Sequence, residues 1–246
     1  MTTPPYAELV AFVRSEGEAV VSASRQGVDV PVPTCGDWTV ADLCRHVGRV
    51  YAYVAHIVDH RLTSASDVRP EPADGADPVE WVAETLDELV AALSGAEADT
   101  PMWNWSSEPH VAAFWARRMA HESAVHRFDA QRAHGVAQPV DADLARDGLD
   151  EMVDVLLPRM VARDGLTPVD ATYAFESIEE GAPGGWRVGT GADGVTRADV
   201  DAVPDVVVRG TASALLLAAY NRVPWTSLEV TGDSGALDEW SETFRF

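Results

Sequence analysis

The sequence predicts an α+β protein in which a four-helix bundle precedes a small α+β domain. Three observations carry that expectation. Apolar residues recur at helical spacing in four segments between residues 5 and 133. A further helical pattern over 141–161 reads as a bridge. Beyond Gly165 the texture changes to short alternating or β-branched runs divided by Gly-rich turns such as EEGAPGG and GTGADG. The expected domains are 1–164, the bundle with its bridging helix, and 165–246.

The first helix is read over 5–25 from Leu9, Val10, Phe12, Val13, Val20 and Val21, and it ends before Gly27. Val30 to Asp37, with two prolines and a glycine, is an extended connector. Thr39 then opens a second helix, with Asp42 three residues on completing a capping box. Along it Leu43, His46, Val50, Tyr53 and Ile57 share a face, so an imidazole occupies a slot the pattern reserves for the core. His56 and His60 lie near the end of this helix and read as solvated. Thr63 to Pro78 is Pro-rich and poor in apolar residues, hence a loop. Val79 to Leu93 forms the third helix, with Trp81, Val82, Leu86, Leu89, Val90 and Leu93 turned inward. Thr100 to Pro109 is a second loop whose Trp103 and Trp105 either line a pocket or anchor the loop between helices.

The fourth helix, Trp115 to Ala133, organises the rest. Trp115, Met119, Glu122, His126 and Asp129 recur at alternating spacings of four and three and fall on one stripe. A carboxylate and an imidazole therefore stand where aliphatic residues are expected, and an uncompensated buried carboxylate costs several kcal/mol, so a cation or metal should neutralise it. His121, Glu122 and His126 superficially suggest the metalloprotease HExxH pattern, but three residues separate Glu122 from His126. At ~100° per residue, His121 and His126 sit ~140° apart around the axis and do not share an ion. Glu122 with His126 is the pair able to chelate, and His46 is the best candidate for a third ligand; the plain alternative is a core histidine bonded to a backbone carbonyl. Two imidazoles and a carboxylate suit Zn²⁺ with a coordination position left open, the pattern of a catalytic site. Asp129 is placed to orient His126 from behind.

Past residue 165, strands are read at Ala171–Ile178, Gly185–Thr190, Asp205–Arg209 and Ser227–Thr231, with a short apolar helix over Thr211–Tyr220. The helix at 141–161 carries Pro158, a residue able to kink it.

Composition excludes whole classes of partner. The chain has 246 residues and a formal charge of -22, from 40 acidic against 18 basic residues, every one of the latter Arg. Such a surface repels phosphate backbones and anionic lipid, so neither nucleic acid nor membrane is expected as a partner. No apolar run approaches the ~20 residues a bilayer needs, and MTTPPYAELV lacks a basic-then-apolar leader, so the expected location is cytoplasmic. Cys35 and Cys44 are too few for a disulfide framework and read as free thiols.

Three segments, PTCGDWTVADLCRHVGRV (Pro33 to Val50), RRMAHESAVHRFDA (Arg117 to Ala130) and LLLAAYNRVPWTSLEVTGD (Leu215 to Asp233), resemble the mycothiol-dependent maleylpyruvate isomerases and their thiol-transferase relatives. The resemblance implies a DinB-like helical bundle followed by a sterol-carrier-protein-like domain. It also implies a divalent metal, usually zinc, on His46, Glu122 and His126, with mycothiol as thiol cosubstrate. In that chemistry the thiolate adds to a cis double bond, the new single bond rotates, and elimination returns the thiol. Arg222 matches the family's arginine for an anionic substrate, although the preceding residue is Asn221 where the family commonly has Gly, a departure that bears on the local backbone. Read without the resemblance, Arg222 either clamps a carboxylate or caps the helix 211–220. Arg49, one turn from His46, either meets an anion or is solvated. Three functions stay open at this point: an isomerase that regenerates its thiol, a mycothiol S-transferase that releases the conjugate, and a non-catalytic metal-containing binding protein.

Overall fold

The computed structural model describes residues 3–179, 185–199 and 201–246. The chain divides into two compact units, Pro4–Val140 and Asp141–Phe246.

The first unit holds four long helices: α1 (Tyr6–Ser24), α2 (Val40–Asp59), α3 (Pro78–Ser94) and α4 (Ala112–Ala133). Helix α1 packs on α3 and α4, and α2 packs on the same two, which closes a four-helix bundle. Small residues set the close approaches. A Cβ on Gly17 would meet Leu86 Cδ1 at 2.4 Å, and one on Gly48 would meet the Trp81 ring at 2.7 Å. Trp81, expected inside, is half-buried and lies across Gly48 on the flank of α2. The start of α2 is built as expected: Thr39 accepts from Asp42 N, and the Asp42 carboxylate accepts from Thr39 N at 3.0 Å. On α2, Leu43 and Ile57 are fully buried while His46, Val50 and Tyr53 are half-buried, so His46 stands at the edge of the core.

Helix α4 is the central element. From Ala112 to Ala130 nearly every position is buried, including Arg118, His121, Ser123, His126, Arg127 and Asp129. The single stripe read from the sequence is therefore one side of a helix enclosed on most sides. Several of its polar residues are matched by partners both within α4 and on other elements. Ser123 lies 2.7 Å from the Tyr51 hydroxyl, and Arg127 donates to Glu16, to Gln131 Oε1 and to the carbonyls of Gln138 and Pro139. The tryptophans of the 100–110 loop act as anchors: Trp115 Nε1 donates to the Trp103 carbonyl at 2.7 Å, and Trp105 packs edge-on against Phe114.

The second unit begins with α5 (Ala142–Glu151), a π-helical turn (Met152–Leu156) and α6 (Leu157–Asp164), which ends at the left-handed Gly165. The segment expected to bridge from the bundle thus belongs to the C-terminal unit. Trp186 Nε1 bonds Asp150 at 3.1 Å, and Arg197 bonds Asp154 at 2.7 Å, so α5 and the turn are fastened to the sheet. The π turn ends two residues before Pro158, whose missing N–H releases a carbonyl of that turn.

Among the described residues the sheet has five strands in the order β3-β2-β1-β4-β5: β1 (Ala171–Ser177), β2 (Gly185–Gly191), β3 (Gly194–Arg197), β4 (Val206–Gly210) and β5 (Glu229–Gly232). Strands β1 and β4 run parallel and the other pairs antiparallel. Helix α7 (Ala212–Ala219) follows β4, capped by Thr211, and α8 (Gly235–Thr243) closes the chain. Two elements are additions to the sequence reading. The GTGADG stretch is a hairpin that creates β3, and α8 forms around the buried Trp240. Most of the expected EEGAPGG turn, residues 180–184, lies outside the described residues.

Candidate metal centre

Helices α2 and α4 bring three side chains to one point. One ligand atom from each of His46, Glu122 and His126 lies within 4.8 Å of the others. His46 Nε2 and His126 Nε2 each stand 3.3 Å from Glu122 Oε1, so this oxygen is shared between two imidazoles. The four-residue spacing of Glu122 and His126 on one helix places them side by side, and α2 delivers His46 from across the bundle.

Each member of the α4 couple is held from outside. Arg118, one turn before Glu122, donates Nη2 to Glu122 Oε2 at 3.1 Å, leaving Oε1 turned toward the imidazoles. His126 Nδ1 donates to Asp129 Oδ2 at 3.0 Å, so its Nε2 points at Glu122. Asp129 is fully buried and also accepts from Thr34 Oγ1 at 2.6 Å and from Cys35 Sγ at 3.5 Å. The centre has an open side: His46 is 36% exposed against 18% for Glu122 and 9% for His126, and Trp38 lies against the His46 ring.

Burial opposes charge on both members of the couple, yet each is held charged by the other. The His126 imidazolium, hydrogen bonds from His126 and His46, and the Arg118 guanidinium keep the Glu122 carboxyl well below the usual carboxylate range. Burial likewise disfavours the His126 imidazolium, but Glu122 and Asp129 overcome it and push its pKa up to about 9. In the metal-free protein a proton on His126 thus stands in for a cation.

With this geometry in view, the family follows. The family model described as the mycothiol maleylpyruvate isomerase N-terminal domain matches residues 6–131, and the corresponding C-terminal domain model matches residues 143–239. The chain belongs to the mycothiol maleylpyruvate isomerase family. Two solved structures share its fold, the mycothiol-dependent maleylpyruvate isomerase and a His-to-Ala variant of it. They are 13% and 12% identical, each has a TM-score of 0.64, and each match covers 94% of this chain and 96% of the other. No curated protein sequence matches the chain.

The isomerase-family motif that carries Arg222 lies in the C-terminal unit. Asn221 there adopts φ +60°, the left-handed region where glycine is the default and Asn is among the few tolerated substitutes. Asn221 Nδ2 also bonds the Phe244 carbonyl at 2.7 Å. Arg222 is buried, with Nη1 donating to the carbonyls of Tyr220 at 2.9 Å and Phe246 at 3.2 Å. Its bond to Tyr220, the residue that ends α7, is the helix-capping contact. Arg49 is exposed, its Nε 2.9 Å from both carboxylate oxygens of Glu71. Cys35 and Cys44 are free thiols.

Sequence reasoning missed Arg118, Thr34 and Trp38. A signal existed for Arg118, since an opposite charge four residues before Glu122 on a helix is a neighbour. None existed for Thr34, whose partner Asp129 lies 95 residues away, or for Trp38, which meets His46 from the irregular turn before α2 and so shares no helical period with it.

Proposed function

We propose that this chain is a zinc-dependent enzyme that uses mycothiol to isomerise maleylpyruvate or a closely similar unsaturated acid, with His46, Glu122 and His126 holding the metal. The observation that carries the proposal is the spacing of the three donors. Ligands at ~2.0–2.1 Å around a tetrahedral ion stand about 3.3–3.4 Å apart. The two 3.3 Å separations at Glu122 Oε1 match that edge. The donor chemistry agrees, since two imidazoles and one carboxylate leave a position for an exogenous ligand. Family membership supplies the thiol and the substrate class.

Zinc bound there would supply a lowered pKa to a thiol brought to it. The protein's own groups prepare for that. Arg118 confines Glu122 to one donor oxygen, and Asp129 holds the His126 ring with Nε2 aimed inward. The half-exposed His46 marks the side from which thiol and substrate enter. Arg222 and Arg49 are the arginines offered to the substrate carboxylates, Arg222 having first to yield its bonds to the Tyr220 and Phe246 carbonyls and Arg49 to part from Glu71.

The test has two stages. Elemental analysis of the protein purified with zinc supplied should give about one equivalent per chain. Turnover of maleylpyruvate with mycothiol is then followed while free thiol is monitored. An isomerase consumes none, whereas a transferase with the same centre consumes one thiol per turnover. A chain that takes up no zinc, that consumes thiol stoichiometrically, or that turns over neither maleylpyruvate nor a closely similar unsaturated acid overturns the proposal.

A further inference from the structure

The geometry points to Thr34 as a positioning residue that sets the orientation of His126 from a separate stretch of chain, acting through Asp129. Asp129 is completely buried, and its two oxygens are divided between two tasks. Oδ2 receives His126 Nδ1 at 3.0 Å with the Cys35 thiol at 3.5 Å, and Oδ1 receives the Thr34 hydroxyl at 2.6 Å, the shortest of the three. The 2.6 Å bond from Thr34 opposes rotation of the carboxylate about its terminal bond, and removing it weakens that restraint on Oδ1. Fixed at both oxygens, the carboxylate presents Oδ2 in a single direction, and the imidazole that donates to it inherits that direction.

The loop before α2 is built to deliver this hydroxyl. Val32 is fully buried and donates its N–H to the Trp38 carbonyl at 2.8 Å, closing the loop base, while Pro31 bridges to Thr39. Within the loop Cys35 N bonds Val32 O at 3.0 Å, and Gly36 takes φ +63°, a turn that a β-carbon would strain. The same loop runs into Thr39, the N-cap of the helix that carries His46. One short segment thus sets the start of α2 and, through Asp129, the ring plane of His126, so both imidazoles are referred to a common anchor. Partners of this outer kind are worth 10–100-fold in metal affinity where they have been removed.

The zinc measurement of this inference rests on the metal reading proposed above; the exchange measurement does not. In Thr34→Val the shape is kept and the donor lost, while Thr34→Ser restores the donor. Zinc affinity, measured on the full chain by competition with a chromophoric chelator, should fall at least tenfold in Thr34→Val and stay within about twofold of the parent in Thr34→Ser. In metal-free protein labelled with ¹⁵N-histidine, the His126 Nδ1 proton should exchange with solvent at least tenfold faster in the valine variant and at the parental rate in the serine variant. A residue needed at position 34 only for packing would lower the melting temperature of Thr34→Val and move neither readout. Parental exchange in that variant overturns the inference, and so does parental zinc affinity. If the parent takes up no zinc, the metal reading falls alone and the exchange rates still decide the role of Thr34. Thr34→Ala, which adds no volume, makes the same comparison should the valine variant fail to fold.

Discussion

Helices α2 and α4 meet at the same three side chains but reach them by different physical routes. Helix α2 has one buried face, a side-chain cap at its start, and one polar intrusion at the edge of the core, His46. Helix α4 is enclosed on most sides and carries charged and polar groups within that enclosure. It has no side-chain cap, and Arg118, Ser123, Arg127 and Asp129 are each satisfied by specific partners. The difference shows how a bundle accommodates a reactive centre. One helix supplies an ordinary amphipathic frame, and the other concentrates the desolvated charge in hydrogen-bonded clusters, one through Glu122, His126 and Asp129 and another around Arg127.

The comparison is broken most completely at the centre itself. Replacing His126 by Ala should abolish zinc uptake measured by elemental analysis, because Glu122 and His46 alone do not form a site. Undiminished zinc in that variant would count heavily against the three-residue assignment.

Next in size is the cluster around Arg127. Arg127→Ala leaves Glu16, Gln131 and two backbone carbonyls without their buried guanidinium, and should cost about 3–5 kcal/mol in chemical denaturation. A loss below 1 kcal/mol would mean that α4 is held by apolar packing, as α2 is.

The charge couple predicts a pH dependence with a definite sign. His126 has a folded pKa of about 9 against 6.5 unperturbed, so its contribution to the metal-free protein is fully present below pH 6.5 and is lost as pH rises through about 9. The depressed Glu122 contributes above its unperturbed 4.5 and is lost as pH falls through its lower folded value. Metal-free stability should therefore be greatest between about pH 4.5 and 6.5, with an effect on the order of 3 kcal/mol at the alkaline side. Zinc must displace the His126 proton, so calorimetry in buffers of different ionisation enthalpy should show about one proton released near pH 7.5 and little above pH 9.5. Uptake without proton release near neutrality would contradict the charged state assigned to His126.

The smallest effect belongs to the frame. Thr39→Ala removes the cap of α2 and should lower stability by about 1 kcal/mol while leaving zinc affinity close to parental. A large loss of zinc from this variant would show that the start of α2 is part of the network after all.

How legible each part was follows from the range of the forces involved. Helix α2 and its capping box were readable because cap, period and apolar face are local properties of neighbouring residues. Glu122 and His126 were readable because four residues on a helix make side chains adjacent, and His46 because it interrupts an apolar face. The hairpin that forms β3 and the helix α8 were missed, since a four-residue edge strand and a nine-residue helix with only Ala236, Leu237 and Trp240 buried are too short to show a clear period of their own. Thr34 was missed because its partner lies 95 residues away. A helix was read over 141–161, where α5, the π turn and α6 stand, yet the attachment of this segment to the C-terminal unit depends on Trp186 and Arg197, which no pattern within it announces.

By itself, then, the amino-acid order determined the sequence of helices and strands, the change of texture after Gly165, and three candidate ligands on two helices. The family likeness was written in the same three stretches. Only the tertiary structure decided that one carboxylate oxygen is shared by two imidazoles, that Arg118 holds the other, and that a threonine from a distant loop bonds Asp129. The division has a physical cause. Helical period and capping are set by bonds between near neighbours, whereas the direction of a buried polar side chain is set by whichever partner the folded chain brings within hydrogen-bond reach.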